Sequence, residues 1–198
     1  EKKGMTTGDG GMIVTKKFSI YKTIKQMRWI GINKGTWERS KSNNNTRTND
    51  NHWKYEINML GDKMHMNDLS AAIGLEQLKK LEYINKKKRE FVELYRKKII
   101  LKNDLRFLIE DYNKHSVYWL FGLKTKYRDK YINILKKNGI STGVHHIPLT
   151  NFRVFKKYKN YQKISSKMYN QILSLPLHAD LTKKDVEYIC NVINKIKL

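Results

Sequence analysis

Apolar residues recur at helical spacing over one long stretch of this chain. Ala72, Ile73, Leu78, Leu81, Ile84, Phe91 and Tyr95 form a stripe, and Asn67 or Asp68 suits the N-cap before it. A helix from residue 68 to about 98 is predicted, roughly 45 Å long at about 1.5 Å per residue, a rod that bridges two parts of a structure. Lys86, Lys87, Lys88 and Arg89 interrupt the stripe and read as a solvated face. Downstream the pattern alternates. Tyr118–Lys124 and Ile140–Ile147 read as strands, and Tyr127–Asn138 as a helix stopped by Gly139, a typical C′ residue. Met168–Leu173 reads as part of a second helix. A third opens at Thr182, with Asp185 completing a capping box and Val186, Ile189, Cys190, Ile193 and Ile196 on its apolar face. Upstream, a glycine-rich turn runs into a short apolar strand, Met12–Val14. Residues 18–39 carry Trp29, Ile30, Ile32 and Trp37 without a clean period, and 40–52 form a polar loop expected to be mobile. The alternation of helices and strands predicts an α/β or α+β domain.

Composition changes this picture little. With 198 residues and 39% hydrophobic content the chain can bury a sizeable core. It does not begin with Met, and a motif stands at its first residues, so truncation upstream is expected. No apolar run approaches the roughly 18 to 20 residues of a membrane span. The single cysteine, Cys190, excludes an internal disulfide, fits a cytoplasmic location and reads as core. The formal charge of +23 raises nucleic acid or an anionic membrane as partners. Of 41 basic residues, however, 8 are Arg and the rest Lys, dispersed along the chain. Arginine is the better reader of bases and phosphates. A compositional bias is the reading, with neither specific nucleic acid nor membrane as partner. The six histidines lack zinc-like spacing, and no metal is expected.

The candidate chemistry sits in Lys3-Gly4-Met5-Thr6-Thr7-Gly8-Asp9-Gly10-Gly11. A desolvated, held lysine amine forms a Schiff base with a cofactor aldehyde, and glycines let the backbone pass close to a flat ring. On the residues alone, a glycine-rich turn with an exposed lysine is the plain alternative. The motif, continuing Met12-Ile13-Val14-Thr15, resembles the lysine motif of the DegT/StrS family of sugar-nucleotide aminotransferases. Further matches follow in order: Arg28–Ile32 with Thr36–Arg39, Trp53–Glu56, Leu60–Asp68 with Ala71–Leu78, Gly139–Ile140 with Gly143–Leu149, and Leu175–His178 with Leu181–Thr182.

The resemblance implies the C-terminal part of a fold-type-I pyridoxal-phosphate aminotransferase. Residues 1–65 are then the end of the cofactor-binding large domain, 66–100 a long connecting helix and 101–198 a small α/β domain. It implies that Lys3 holds pyridoxal 5′-phosphate and shuttles protons. Lys63 and His65 occupy polar positions of a segment that reaches the cofactor phosphate of the partner in a homodimer. Asp62 and Met64 depart from the family there, replacing its usual aromatics. Trp37, His145 and His146 fall beside the substrate; core packing is the alternative for Trp37, and a metal for the histidines. The implied reaction moves an amino group from an amino acid, glutamate, to a nucleotide-linked keto-sugar, feeding surface polysaccharide or a glycosylated metabolite. The alternatives are a related sugar dehydratase, which lacks the lysine, an inactive fragment, and a basic nucleic-acid-binding module. The family's other cofactor contacts lie upstream of the residues present.

Overall fold

The computed structural model describes residues 4–35, 38, 55–108, 116–161 and 163–197, so Lys3, Trp37 and the polar loop 40–52 lie outside the described residues. The chain divides into two compact units, Thr6–Glu76 and Gln77–Leu198, the latter including Gly4 and Met5.

In Thr6–Glu76, helix α1 spans Phe18–Met27. It has no clean sequence signature because it buries none of its residues; propensity and its own hydrogen bonds define it. After it the chain turns through Ile30 (φ 59°) and Gly31 (φ 78°). Two bridges, Trp29 with Lys63 and Ile32 with Ile57, join the segment to the residues before the long helix. Glycine is needed on both sides of this backbone approach. A Cβ at Gly31 would lie 1.8 Å from the Met59 carbonyl oxygen, and one at Gly61 2.4 Å from that of Met27. The strand expected at Met12–Val14 does not form: among the described residues nothing pairs with it, and Met12 and Val14 are more than 80% exposed. A strand is completed by a hydrogen-bonded neighbour, which an apolar run does not supply by itself.

Helix α2 spans Asp68–Lys98, as the stripe predicts. Its N-terminus is capped by Asn67, whose Oδ1 accepts from the Ser70 amide at 2.8 Å. Only its later turns reach a core, through Phe91, Val92 and Tyr95. Lys88 contradicts the solvated-face reading, since it is 3% exposed. Its long apolar stem allows packing among hydrophobic groups, and burial lowers the pKa of its ammonium.

The unit Gln77–Leu198 holds that core. Strands β1 (Arg106–Phe107), β2 (Phe121–Lys124) and β3 (Ile172–Leu175) form an antiparallel sheet in that order, with Phe121 opposite Leu175 and Lys124 opposite Ile172. Helices α3 (Arg128–Lys137), α4 (Lys163–Tyr169) and α5 (Lys183–Lys195) complete it. Leu123, Tyr131, Leu135, Leu173, Val186, Cys190 and Ile193 are fully buried. The Tyr95 ring stacks on Phe121 at 5.3 Å, and its hydroxyl donates to the Pro176 carbonyl at 2.9 Å. Asn194 ties α5 to the end of α2, accepting from the Ile100 amide and donating to the Lys98 carbonyl, each at 2.9 Å. Gly139 takes φ 72° after α3, and the Thr182–Asp185 capping box is present at α5.

Two expectations are corrected here. Ile140–Ile147 is not a strand; only Gly143 pairs, exchanging two hydrogen bonds with Ser174. Gly143 has no side chain to pack and Pro148 no amide to donate, which limits a ladder. Leu173 is not helical: α4 ends at Tyr169, and Leu173 lies in β3 opposite Leu123. A short apolar run fits both periods, and pairing with β2 decides between them.

Candidate functional site

The glycine turn adopts the backbone that its composition requires. Gly8 and Gly10 take φ values of 82° and 130°, a region open to residues without a Cβ. Thr6 Oγ1 accepts from the Gly8 amide at 3.0 Å, and Thr7 Oγ1 donates to the Asp9 carbonyl at 2.6 Å. The turn lies against residues at the start of α2. A Cβ on Gly10 would meet Met66 Cε at 3.0 Å, and one on Gly74 would meet Thr7 Cγ2 at 3.0 Å.

In the same unit Lys63 and His65 meet one aromatic ring. The Trp29–Lys63 bridge, with the Met64 amide donating to the Arg28 carbonyl at 2.9 Å, fixes the register. Lys63 Nζ lies 6.0 Å from the Trp29 ring centroid, and His65 meets that ring edge-on at 4.9 Å. Lys63 and His65 alternate with Met64 along an extended segment, so both point to the face that Trp29 occupies. Both are exposed. Two nitrogen donors around one rigid ring suit a phosphate or carboxylate. Trp29 is not among the candidates legible in the sequence, because its pairing with Lys63 needs the fold.

The other candidate pair lies in the unit Gln77–Leu198. His145 and His146 pack edge to face at 5.2 Å, with Trp119 at 6.4 and 6.0 Å from their rings. His145 Nδ1 lies 3.4 Å from Ser174 Oγ on the largely buried β3. Gly143 makes this possible, because a Cβ there would lie 2.2 Å from His145 Cε1. The result is a partly exposed aromatic surface with imidazole nitrogens at its edge, able to hold a flat or hydroxylated ligand. Trp119 and Ser174 are absent from the sequence-level candidates; each stands in or beside a strand whose apolar pattern reads only as core.

Pyridoxal phosphate fits the residues of the first cluster chemically. The glycine turn leaves room for a flat ring to approach the backbone, and Lys63 and His65 are groups that suit a phosphate.

The chain is 33% identical to an uncharacterised protein of Methanocaldococcus jannaschii over 98% of its own length and 51% of that protein's. It is 25% identical to the UDP-4-amino-4,6-dideoxy-N-acetyl-beta-L-altrosamine transaminase of Helicobacter pylori, over 98% of this chain and 49% of the relative. The fold is that of the sugar aminotransferase CalS13 from Micromonospora echinospora: TM-score 0.81 and 20% identity, covering 96% of this chain and 48% of the other. The chain thus spans about half the length of the curated relatives it matches. Residues 1–194 match the model of the DegT/DnrJ/EryC1/StrS aminotransferase family, and the chain belongs to that family.

Proposed function

We propose that this chain is the C-terminal half of a pyridoxal-phosphate-dependent aminotransferase that moves an amino group from glutamate to a nucleotide-linked keto-sugar. The observation that carries this reading is the family match over residues 1–194, with Lys3 at the head of the glycine turn. The Helicobacter pylori relative, named for a UDP-linked amino sugar, supports the substrate class.

When bound, pyridoxal phosphate draws electrons from the amino-bearing carbon and makes its proton acidic. Lys3 would hold the cofactor through its amine and, once the donor's amine has displaced it, would carry that proton between carbon atoms as a free base. Lys63 and His65 hold the phosphate of the partner subunit's cofactor in a homodimer. The register between Trp29 and Lys63 keeps both side chains on one face, so little ordering remains to be done on binding. His145 and His146 orient the sugar by hydrogen bonds, and Ser174 holds His145; Trp37, outside the described residues, is kept as a substrate-side residue on the resemblance alone.

The 198-residue chain is not expected to turn over alone. Among the described residues of Thr6–Glu76 only Gly31 is buried, which leaves that unit little packing of its own to hold a cofactor in place. A protein that supplies the upstream half should convert bound cofactor to its amino form on adding glutamate and return it on adding a nucleotide-linked keto-sugar, followed by absorbance. Return with free keto acids but with no keto-sugar would defeat the substrate assignment. Turnover by the 198-residue chain alone would defeat the need for an upstream half.

A further inference from the structure

Ser174 lies on β3 between β2 and the bridge to Gly143. Gly122 faces it on β2. On the other side its amide donates to the Gly143 carbonyl at 2.7 Å, and its carbonyl accepts from the Gly143 amide at 3.0 Å. Both of its backbone groups are thus used, and the residue is 5% exposed. Among the described residues the one hydrogen-bond partner of its hydroxyl is His145 Nδ1, at 3.4 Å. A buried hydroxyl hydrogen without an acceptor costs free energy, so it goes where an acceptor stands. A neutral imidazole accepts on one nitrogen and donates from the other. With Nδ1 accepting, the ring hydrogen is on Nε2. The opposite tautomer would leave the hydroxyl hydrogen buried with nothing to meet. The surroundings narrow the ring's rotation. It fills the space where Gly143 lacks a Cβ, and His146 and Trp119 stand 5.2 and 6.4 Å from it, centroid to centroid. Tyr118 takes φ 42° and packs against the core, which sets Trp119 beside the histidines. All these contacts are internal to the unit Gln77–Leu198, and the central one is buried there, so none depends on what covers the surface.

We propose that Ser174 is a positioning residue: its hydroxyl donates to His145 Nδ1 and so fixes His145 as a hydrogen-bond donor at Nε2, matched to an acceptor oxygen of the sugar. The match to a sugar rests on the function proposed above; the tautomer does not. A donor held in one tautomer is selective. It takes a hydroxyl or carbonyl oxygen and rejects a group that can only donate, such as an ammonium. An imidazole free to exchange tautomers would accept either. Ser174 acts through His145 and touches no reacting atom, and its place on a paired strand keeps the hydroxyl from moving with the ring.

The test is imidazole nitrogen NMR of the 198-residue chain labelled in its histidines, at a pH where His145 is neutral, with its signals assigned by their loss in His145→Gln. His145 is expected with hydrogen on Nε2 and none on Nδ1, in a single tautomer. In Ser174→Ala the ring should become a mixture of both tautomers. Gly143→Ala should give the same mixture by another route: its Cβ would stand 2.2 Å from His145 Cε1 and must push the ring away, while the hydroxyl stays. Hydrogen on Nδ1 in the wild-type chain would overturn the proposal, as would one pattern shared by wild type and Ser174→Ala. The wild-type spectrum decides by itself if a variant misfolds. In a protein that supplies the upstream half, Ser174→Ala should raise the KM for the nucleotide-linked keto-sugar about two- to tenfold, the loss of one neutral hydrogen bond. A changed tautomer with an unchanged KM would overturn the match to the sugar. Absence of all turnover in the wild type would instead count against the aminotransferase reading and leave the imidazole result standing.

Discussion

Lys63 and His65 share the ring of Trp29, so what each contributes depends on that ring staying in place. If they hold a phosphate, Lys63→Ala in a protein with the upstream half should weaken pyridoxal phosphate binding about ten- to hundredfold, from roughly 1.5–3 kcal/mol per charged hydrogen bond. Pyridoxal, which lacks the phosphate, should bind nearly unchanged. Trp29→Ala should follow Lys63→Ala, and Trp29→Phe should recover part of the loss. An equal loss for both ligands in a titration would assign Lys63 to folding instead. A second residue-level consequence concerns Cys190, whose thiol burial pushes up from 9.0 to about 11. Its folded pKa is raised, so its contribution to stability is complete below about pH 9 and is lost as the pH climbs through 11. The buried Tyr95 hydroxyl is raised as well, and Lys88 is shifted the opposite way. The informative quantity is therefore the difference between wild type and Cys190→Ala in urea unfolding. That difference should shift in favour of the variant between about pH 9 and 11, and a pH-independent difference would contradict the burial argument.

At the scale of elements, α5 is the clearest link between sequence and structure. Thr182 Oγ1 accepts from the Asp185 amide, Asp185 Oδ2 accepts from the Thr182 amide, and every predicted apolar-face residue is buried. Thr182→Ala should cost about 1 kcal/mol by removing the cap, read as a lower urea midpoint with unchanged slope. No change would place the start of α5 under tertiary control. Helices α2, α3 and α5 were legible because period, cap and stop agree, as with Asn67 and Ser70 at α2 and Gly139 after α3. Strands were less so. The ends of β2 and β3 depend on which residues pair, and Ile140–Ile147 has strand-like composition but only one paired position. Helix α1 had no signature, since no core selects its face. At the candidate site the glycine turn was legible from residue type alone. The Trp29 cluster and the Trp119–histidine cluster were not, because each joins residues that only the chain's return brings together.

On the scale of the whole molecule, burial is uneven. Every side chain of the core cluster lies in the unit Gln77–Leu198. In Thr6–Glu76, Met12, Ile13, Val14, Leu60 and Leu69 are each at least 70% exposed. At roughly 25 cal/mol per Å², leaving such side chains in water forgoes a large part of the stabilisation that folding can supply. The curated relatives are about twice as long; if the chain is half of such a protein, as proposed, strand neighbours and apolar cover for Met12–Val14 are what the other half should supply. The proposed function rests on Lys3 being the residue that takes the cofactor. The most direct measurement is borohydride reduction of a protein that supplies the upstream half, in the presence of pyridoxal phosphate, with the modified peptide mapped by mass spectrometry. The account predicts a single modified lysine, Lys3, and no fixed cofactor in Lys3→Ala. Specific fixation on another lysine, or undiminished fixation in Lys3→Ala, would contradict it.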